Sequence, residues 1–382
     1  MKVLHTISGL SNLSGGPSSC TFELVRALNA VGCNTDILAI APPEGGKLLS
    51  NEPFIHTVPR DVGIGGYSAN FRQALREHAG YDVMHINGLW LYSNWCSARE
   101  AQLRQIPYVW TLHGMLYPHA LNIRKYVKHM FRFLWYDSAL KKASCIHATC
   151  IEELKHYRAL GFRNPVAVIP NCLAVPENLG ALRTASGSRG KRIGFLGRFH
   201  PIKNLELLID AWADSGALAS DAELLLAGGG DADYTASLKK RVKDLGLDNV
   251  RFVGFLNGDD KYRFVASLRA LALVSKMENF GMVVPEALML GTPVIAGDRT
   301  PWRTIAEHRC GWFTASHREA LVESLNEALA MPEAELVVMG ERGKALFEVE
   351  YSAPTVATRM FALYRYLLEG GEIPPFVDVV DI

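Results

Sequence analysis

Two kinds of apolar pattern alternate along this chain. Short, nearly continuous apolar runs bounded by Gly, Pro, Asn or Asp fit strands buried on both faces. Between them lie longer stretches in which apolar residues recur every three or four positions, as on a helix with one packed side. Strands alternating with helices predict parallel sheets joined by crossover helices. In the front half the pattern predicts strands near 2–7, 35–40, 54–58, 82–86, 107–112, 144–148 and 166–169, with helices in most gaps, including 18–31 and 68–78. The rhythm then restarts, with strands near 192–196, 222–227, 250–253, 271–274, 293–296 and 311–313 and helices near 203–215, 234–245, 260–267, 282–290 and 317–330.

The stretch 176–192 is rich in Gly, Ser, Ala and Arg and has little apolar period, the composition of a linker. It divides the chain into an N-terminal domain, 1–175, and a C-terminal domain, 193–353. Residues 354–382, a helix after Pro354 and a tail, are expected to pack back on the N-terminal domain. Two domains also suit the length, since 382 residues exceed the roughly 250–300 at which one core stops growing. The predicted fold class is α/β, two doubly wound Rossmann-like domains.

Composition excludes collagen, coiled coil and disorder, with 49% apolar and 21% charged residues. Net charge is only +1, but it is unevenly spread. Up to Cys172 there are 17 Lys and Arg against 11 Asp and Glu; the remainder has 23 against 28. An anionic partner is therefore expected at the front half, and no nucleic acid. The seven cysteines are odd in number and form no CxxC, which reads as reduced thiols in a cytosolic protein. No run reaches the ~18 apolar residues of a membrane span and no signal-peptide pattern opens the chain, so a cytoplasmic location is expected.

Three places concentrate candidate chemistry. Ser14-Gly15-Gly16-Pro17 follows the first strand and precedes a helix, whose N-terminal N–H groups can face an anion. The spacing is not the GxGxxG dinucleotide fingerprint. Gly197-Arg198 ends a strand and Lys203 follows before the next helix, which puts two cations at the C-terminal edge of a parallel sheet, where such sheets bind ligands. An Arg can fork two phosphate oxygens and a Lys adds a mobile charge. Third, Glu278 lies in a loop, Gly281 opens a helix, and Glu286 lies on that helix more than a turn in.

Glu278 and Glu286 match the E-x7-E motif of retaining GT-B glycosyltransferases, and the segment ENFGMVVPEAL around them resembles glycosyltransferase family 4. Arg198 and Lys203, Gly15-Gly16, His113 within Thr111-Leu-His-Gly-Met115, and Ile169-Pro-Asn171 extend the likeness over essentially the whole chain in order. Looser features, His85-Ile-Asn87-Gly88-Leu-Trp90 and Met115 to Leu121, resemble members that build bacterial surface polysaccharides. The resemblance implies a GT-B fold with the two domains facing across a cleft that holds the donor. It implies a nucleotide-diphosphate sugar as donor and a glycan or lipid-linked glycan as acceptor, with no cofactor and no metal. It gives Arg198, Lys203, Gly16 and the backbone of Phe280, Gly281, Met282 and Val283 to the donor diphosphate and sugar, and Glu286 to the ribose. Val253, Gly254 and Phe255 go to the base, and His113 and Glu278 to the reacting sugar. Cys172 stands where the family often has Gly, so Asn171 receives no role.

A nucleotide-sugar epimerase of the same fold, and a catalytically degenerate sugar-nucleotide-binding protein, are the alternatives. Asp231-Ala-Asp233 has the form of a metal-binding DxD but follows Gly228-Gly229-Gly230 in a loop and reads as turn chemistry. Trp90, Tyr92 and Trp95 form either a sugar-stacking platform or ordinary packing. Over 121–142, Arg124, Lys128 and Arg132 recur at helical spacing beside Lys125, with Ile123, Val127, Met130, Phe131 and Leu134 on another side. Such a helix can lie on an anionic membrane surface or pack on its own domain.

Overall fold

The computed structural model describes residues 1–63, 66–184, 190–219 and 221–380. Two compact units emerge: Met1–Ala174 together with Ser352–Ile382, and Val175–Tyr351.

In the first unit, strands β1 (Lys2–Ile7), β2 (Asn34–Ile40), β3 (Ile55–Val58), β4 (Val83–Asn87), β5 (Tyr108–Thr111), β6 (Cys145–Ala148) and β7 (Val166–Val168) form a parallel sheet in the order β3-β2-β1-β4-β5-β6-β7. Successive side chains of a strand face opposite sides, and here both sides are covered. Leu4, Met84, Trp110 and Ile146 enter one core with Phe71 and Tyr136. Their neighbours Val3, Val83, Val109 and Cys145 enter another, beneath the helices Gly16–Ala30 and Ala353–Glu369. This double burial is why the strands read as apolar runs.

The second unit holds β8 (Arg192–Phe199), β9 (Glu223–Gly230), β10 (Val250–Gly254), β11 (Ala270–Leu273), β12 (Val294–Gly297) and β13 (Gly311–Thr314), all parallel, in the order β10-β9-β8-β11-β12-β13. The run Gly228-Gly229-Gly230 lies on β9, paired with Gly197, Arg198 and Phe199. A Cβ at Gly228 would stand 1.9 Å from the Gly197 carbonyl oxygen, so the close approach of two strands, not a nucleotide loop, requires glycine there.

Several expectations are corrected. Strand β8 runs on to Phe199, so Arg198 lies on the strand and not after it. The stretch 176–192 contains a helix, Leu179–Thr184, in which Leu182 is buried and Arg183 donates to the Met289 carbonyl; residues 185–189 lie outside the described ones. The tail needs no correction beyond its start, which is Ser352: the chain from there belongs to the first unit, where the Ala353–Glu369 helix packs on the Gly16–Ala30 helix and β14 (Val377–Asp378) pairs antiparallel with β7. Arg158 fastens this tail through Asp378 at 2.6 Å. Finally, 121–142 is not one helix. It breaks at Ile123 and Arg124, where Arg124 adopts φ 53°, and a π-turn occupies Arg132–Tyr136. Two of the three cations of the expected stripe are engaged within the chain, Arg132 with Asp137 at 2.9 Å and Lys128 with the Ala120 carbonyl, while Arg124 is exposed.

Candidate functional site

In each sheet the strand order reverses once, between β8 and β11 in the second unit and between β1 and β4 in the first. Open parallel sheets bind ligands at such switch points, outside the C-terminal ends of the strands. The residues singled out from the sequence fall largely on the loops that leave these four strands.

At the second unit's switch point, His200 to Asn204 follow β8 and Ser275 to Met282 follow β11. The loops are tied together by the Lys276 N–H to the Ile202 carbonyl at 2.8 Å, and by Asn204 Nδ2 to the Val274 carbonyl at 3.3 Å. Asn204 adopts φ 58°, a turn that an Asn tolerates better than most side chains. This brings Lys203 Nζ to 2.5 Å from Glu278 Oε2, with Ser275 Oγ donating to the same oxygen at 3.2 Å. Residues assigned separately to diphosphate and to sugar are thus an ion pair, largely shielded from water.

Gly281 adopts φ 81°, and a Cβ on it would meet Leu273 Cδ2 at 2.8 Å and Glu278 Cγ at 3.1 Å, so the position both turns the chain and leaves room for Glu278. Phe280 is buried against Trp302 and Tyr351, and Trp302 Nε1 donates to its carbonyl. The helix then opens at Val283; the Val284 N–H donates to the Gly281 carbonyl at 2.9 Å, Pro285 has no N–H, and the Glu286 N–H donates to the Met282 carbonyl at 3.2 Å. Glu286 lies in that first turn, closer to the start than the sequence suggested. It is 7% exposed, and burial raises its carboxyl above the ordinary range while Lys261 opposes the rise. Lys261 Nζ sits 2.7 Å from Glu286 Oε1. Burial draws the ammonium down, but attraction to Glu286 and to Tyr262 outweighs it and leaves the lysine raised. Lys261 was missed from the sequence because Asp259-Asp260-Lys261 reads as one more solvated helix start.

Val253, Gly254 and Phe255 lie where β10 ends in a bulge; Gly254 has φ 90° and Phe255 is exposed. Asp231 is the N-cap of the Ala232–Asp244 helix and accepts from the Tyr234 N–H at 2.8 Å, which is turn chemistry.

In the first unit Gly16 begins the Gly16–Ala30 helix, whose first turn carries no acid. Gly15 has φ 76°, which favours glycine; at Gly16 a Cβ would meet nothing within 4 Å, so no atom of the chain requires a glycine there. The loops after β1 and β4 line a cavity of about 380 Å³ with Ser11, Ser14, Ser18, Asn87, Ser93 and Asn94.

His113 follows β5 at φ 52°, and Gly114 after it has φ 72°. The turn is held by Glu153, buried, which accepts from the Gly114 N–H at 2.5 Å and from Thr149 N and Oγ1 at 2.7 and 2.9 Å. His113 Nε2 is buried and has no hydrogen-bond partner among the described residues. Burial, then His147, pushes His113 down to about 3, so its imidazole is neutral at neutral pH. Beneath it a buried chain of hydrogen bonds crosses the sheet. His5 Nε2 and His85 Nδ1 share the Tyr364 hydroxyl at 2.9 and 2.5 Å; His85 Nε2 and His147 Nδ1 share Thr111 Oγ1 at 2.6 and 2.7 Å; His147 Nε2 meets the Ile169 carbonyl at 2.7 Å. All seven cysteines are buried and unbridged.

Residues 15–172 match the glycosyl transferase 4-like domain family, and residues 183–345 match the glycosyl transferases group 1 family. The phosphatidyl-myo-inositol mannosyltransferase of Mycobacterium leprae is 32% identical over 314 residues, 77% of this chain and 78% of that protein. The O-antigen chain mannosyltransferase C of Escherichia coli is 29% identical over 181 residues, 46% of this chain and 47% of that protein, so the match spans about half of that relative's length. Among solved structures, Anabaena HepE in complex with UDP and glucose superposes with a TM-score of 0.70 at 20% identity, covering 95% of this chain and 99% of that one. WaaG, a glycosyltransferase involved in lipopolysaccharide biosynthesis, gives 0.66 at 15% identity, covering 97% and 100%. With its 4-like domain in front of its group 1 domain, the chain belongs to the GT-B glycosyltransferases.

Proposed function

We propose that this chain moves a sugar from a nucleotide-diphosphate sugar to a hydroxyl of a glycan or lipid-linked glycan with retention of configuration, in bacterial surface-polysaccharide assembly on the cytoplasmic side of the membrane. The observation that carries the reading is the clustering of Lys203, Glu278, Gly281 and Glu286 beside the β8/β11 switch point of a chain in this family. Arg198 and Lys203 take the diphosphate with the backbone of Phe280, Gly281, Met282 and Val283, and Glu286 takes the ribose hydroxyls. Glu278 takes hydroxyls of the donor sugar, and the exposed end of β10 takes the base. By the same resemblance Gly16 serves phosphate and His113 the transferred sugar.

The acceptor hydroxyl attacks the anomeric carbon on the face the diphosphate is leaving, and the leaving phosphate oxygen accepts its proton. Fixed cations and N–H dipoles stabilise the departing charge, so no metal is called for. The mannosyltransferases named above act, by their names, on an O-antigen chain and on phosphatidyl-myo-inositol, which favours a glycan or lipid-borne acceptor.

Lys203→Ala tests the donor site. Loss of a charge-assisted contact is worth ~1.5–3 kcal/mol, so calorimetric affinity for nucleoside diphosphate should fall roughly 10- to 150-fold with the fold intact. Unchanged affinity refutes the assignment. Release of nucleotide that requires an acceptor separates transfer from epimerisation, and NMR of the product's anomeric configuration tests retention.

A further inference from the structure

We propose that an aromatic pocket in the first unit holds a hydrocarbon chain of an amphiphilic ligand, an inference that rests on the reading of the acceptor as lipid-linked. The pocket, about 370 Å³, is lined by Tyr67, by Trp90, Tyr92 and Trp95, and by Phe131, Trp135 and Tyr136. It adjoins the cavity at the β1/β4 switch point, where serine and asparagine side chains stand among apolar ones, through a shared wall. Gly66 and Leu91 line that cavity, and their chain neighbours Tyr67, Trp90 and Tyr92 line the aromatic one. A ligand with its polar head at the serines and asparagines of the first cavity and an apolar tail in the second would meet hydrogen-bonding groups at one end and ring surface at the other.

The chemistry of the lining favours a hydrocarbon over a sugar. Among the described residues, no carboxylate, amide or guanidinium is part of the lining. Sugar sites need such groups, because hydroxyls moved out of water without partners are costly. Trp90 turns its N–H to the Met115 carbonyl at 3.3 Å and Tyr136 its hydroxyl to the Leu91 carbonyl at 2.8 Å, so both present ring surface and not a polar edge.

Two irregularities build the pocket's walls. Trp90 adopts φ 75°, unusual for so bulky a residue, and Trp135 and Tyr136 lie on the Arg132–Tyr136 π-turn. Both are uncommon backbone states that concentrate at functional sites.

The pocket's rim suits delivery from a lipid surface. On the segment that supplies Phe131 and Trp135, Tyr126 and Phe133 are 88% and 86% exposed, and Ile123, Met130 and Leu134 are exposed beside them. Arg124, Lys125, Lys141 and Lys142 are exposed cations nearby in the chain. Between Glu100 and Glu152 the one acid is Asp137, which Arg132 neutralises. An apolar face flanked by unopposed cations is complementary to an anionic headgroup surface.

The test uses the full chain and monomeric octyl, dodecyl and farnesyl phosphates, read by tryptophan fluorescence. Each methylene that enters the pocket should raise affinity about threefold to fourfold, so dodecyl phosphate should bind about 80- to 250-fold tighter than octyl if all four extra methylenes are buried, and about tenfold tighter if only two are. Comparing dodecyl with farnesyl phosphate tells an acyl from an isoprenoid tail; tighter binding of either supports the pocket. Trp135→Glu should weaken dodecyl phosphate by about tenfold or more. Tyr67→Glu, at a second partly exposed position, should do the same, and both variants should leave nucleoside-diphosphate affinity unchanged. Equal affinity for octyl and dodecyl phosphate, wild-type affinity in both variants, or displacement of dodecyl phosphate by maltose would overturn the inference. Chain binding without nucleotide binding would instead remove the donor-site reading and leave the pocket standing.

Discussion

The buried histidines of the first unit should make it acid-labile well above the usual carboxylate range. His5, His85 and His147 are almost completely buried, and burial is the first cause that lowers all three: His5 to about 3, His147 to about 4, and His85 well below its ordinary value. The folded chain therefore keeps them neutral, while the unfolded chain protonates them below the ordinary value near 6.5. Stability is complete above about pH 6.5 and is lost as pH falls from there toward the folded values. At pH 5.5 each such histidine favours the unfolded state by about 1.4 kcal/mol, so these three and His113, held at about 3 by the same burial, remove about 5.5 kcal/mol relative to pH 7.5, a large part of a domain's stability. The network lies wholly in the first unit, and the second serves as internal control. Urea titrations at pH 7.5 and 5.5, read by pulse proteolysis, should show the first unit losing about 5.5 kcal/mol. His147→Gln removes one titration and should reduce the loss by about a quarter. A first unit that loses less than about 1 kcal/mol over this interval, or a loss unchanged in His147→Gln, would refute the reasoning.

Two further outcomes follow from single residues. Gly281→Ala places a methyl against Leu273 and Glu278 at φ 81°, and the combined strain and clash should cost about 2–4 kcal/mol, read as a lowered Tm; an unchanged Tm would contradict the geometry. Asp231→Ala removes an N-cap, so it should cost about 1 kcal/mol and leave transfer intact, and transfer by the wild type should survive EDTA; loss of activity in both experiments, with rescue by manganese, would restore the metal reading of Asp231 and Asp233.

The sheets were legible because a strand buried on both faces leaves no polar alternation to confuse. Val3-Leu4, Val83-Met84, Val109-Trp110 and Cys145-Ile146 each send one side chain to each core. Features set by tertiary contact were not legible. The two-residue β14 exists through pairing with β7 and the Arg158–Asp378 bond, neither of which has a local pattern. The helical spacing of Arg124, Lys128 and Arg132 was real in the sequence, yet the chain breaks at Arg124 because the local period says nothing about where the backbone must turn. The polar network left a signal that went unused: a histidine inside each of three apolar strand runs, Val3 to Ile7, Val83 to Asn87 and Cys145 to Ala148.

The ion pairs also determine how the Lys203 experiment must be interpreted. Lys203 and Glu278 already neutralise each other at 2.5 Å, with 19% and 13% of their side chains exposed. A diphosphate that recruits Lys203 must compete with Glu278 for the same three ammonium protons and approach a carboxylate as it does so. In Lys203→Ala that carboxylate is left without its cation near the binding position, so the measured loss combines a missing attraction with a new repulsion. Glu278→Gln keeps the shape and removes the charge, and the double variant separates the two contributions. If repulsion matters, Lys203→Ala should lose less nucleoside-diphosphate affinity in the Glu278→Gln background than in the wild type, by a coupling of about 0.5–3 kcal/mol. Additive losses would mean that Glu278 does not sense the diphosphate, which would confine it to the sugar and leave Lys203 as the anion's partner alone.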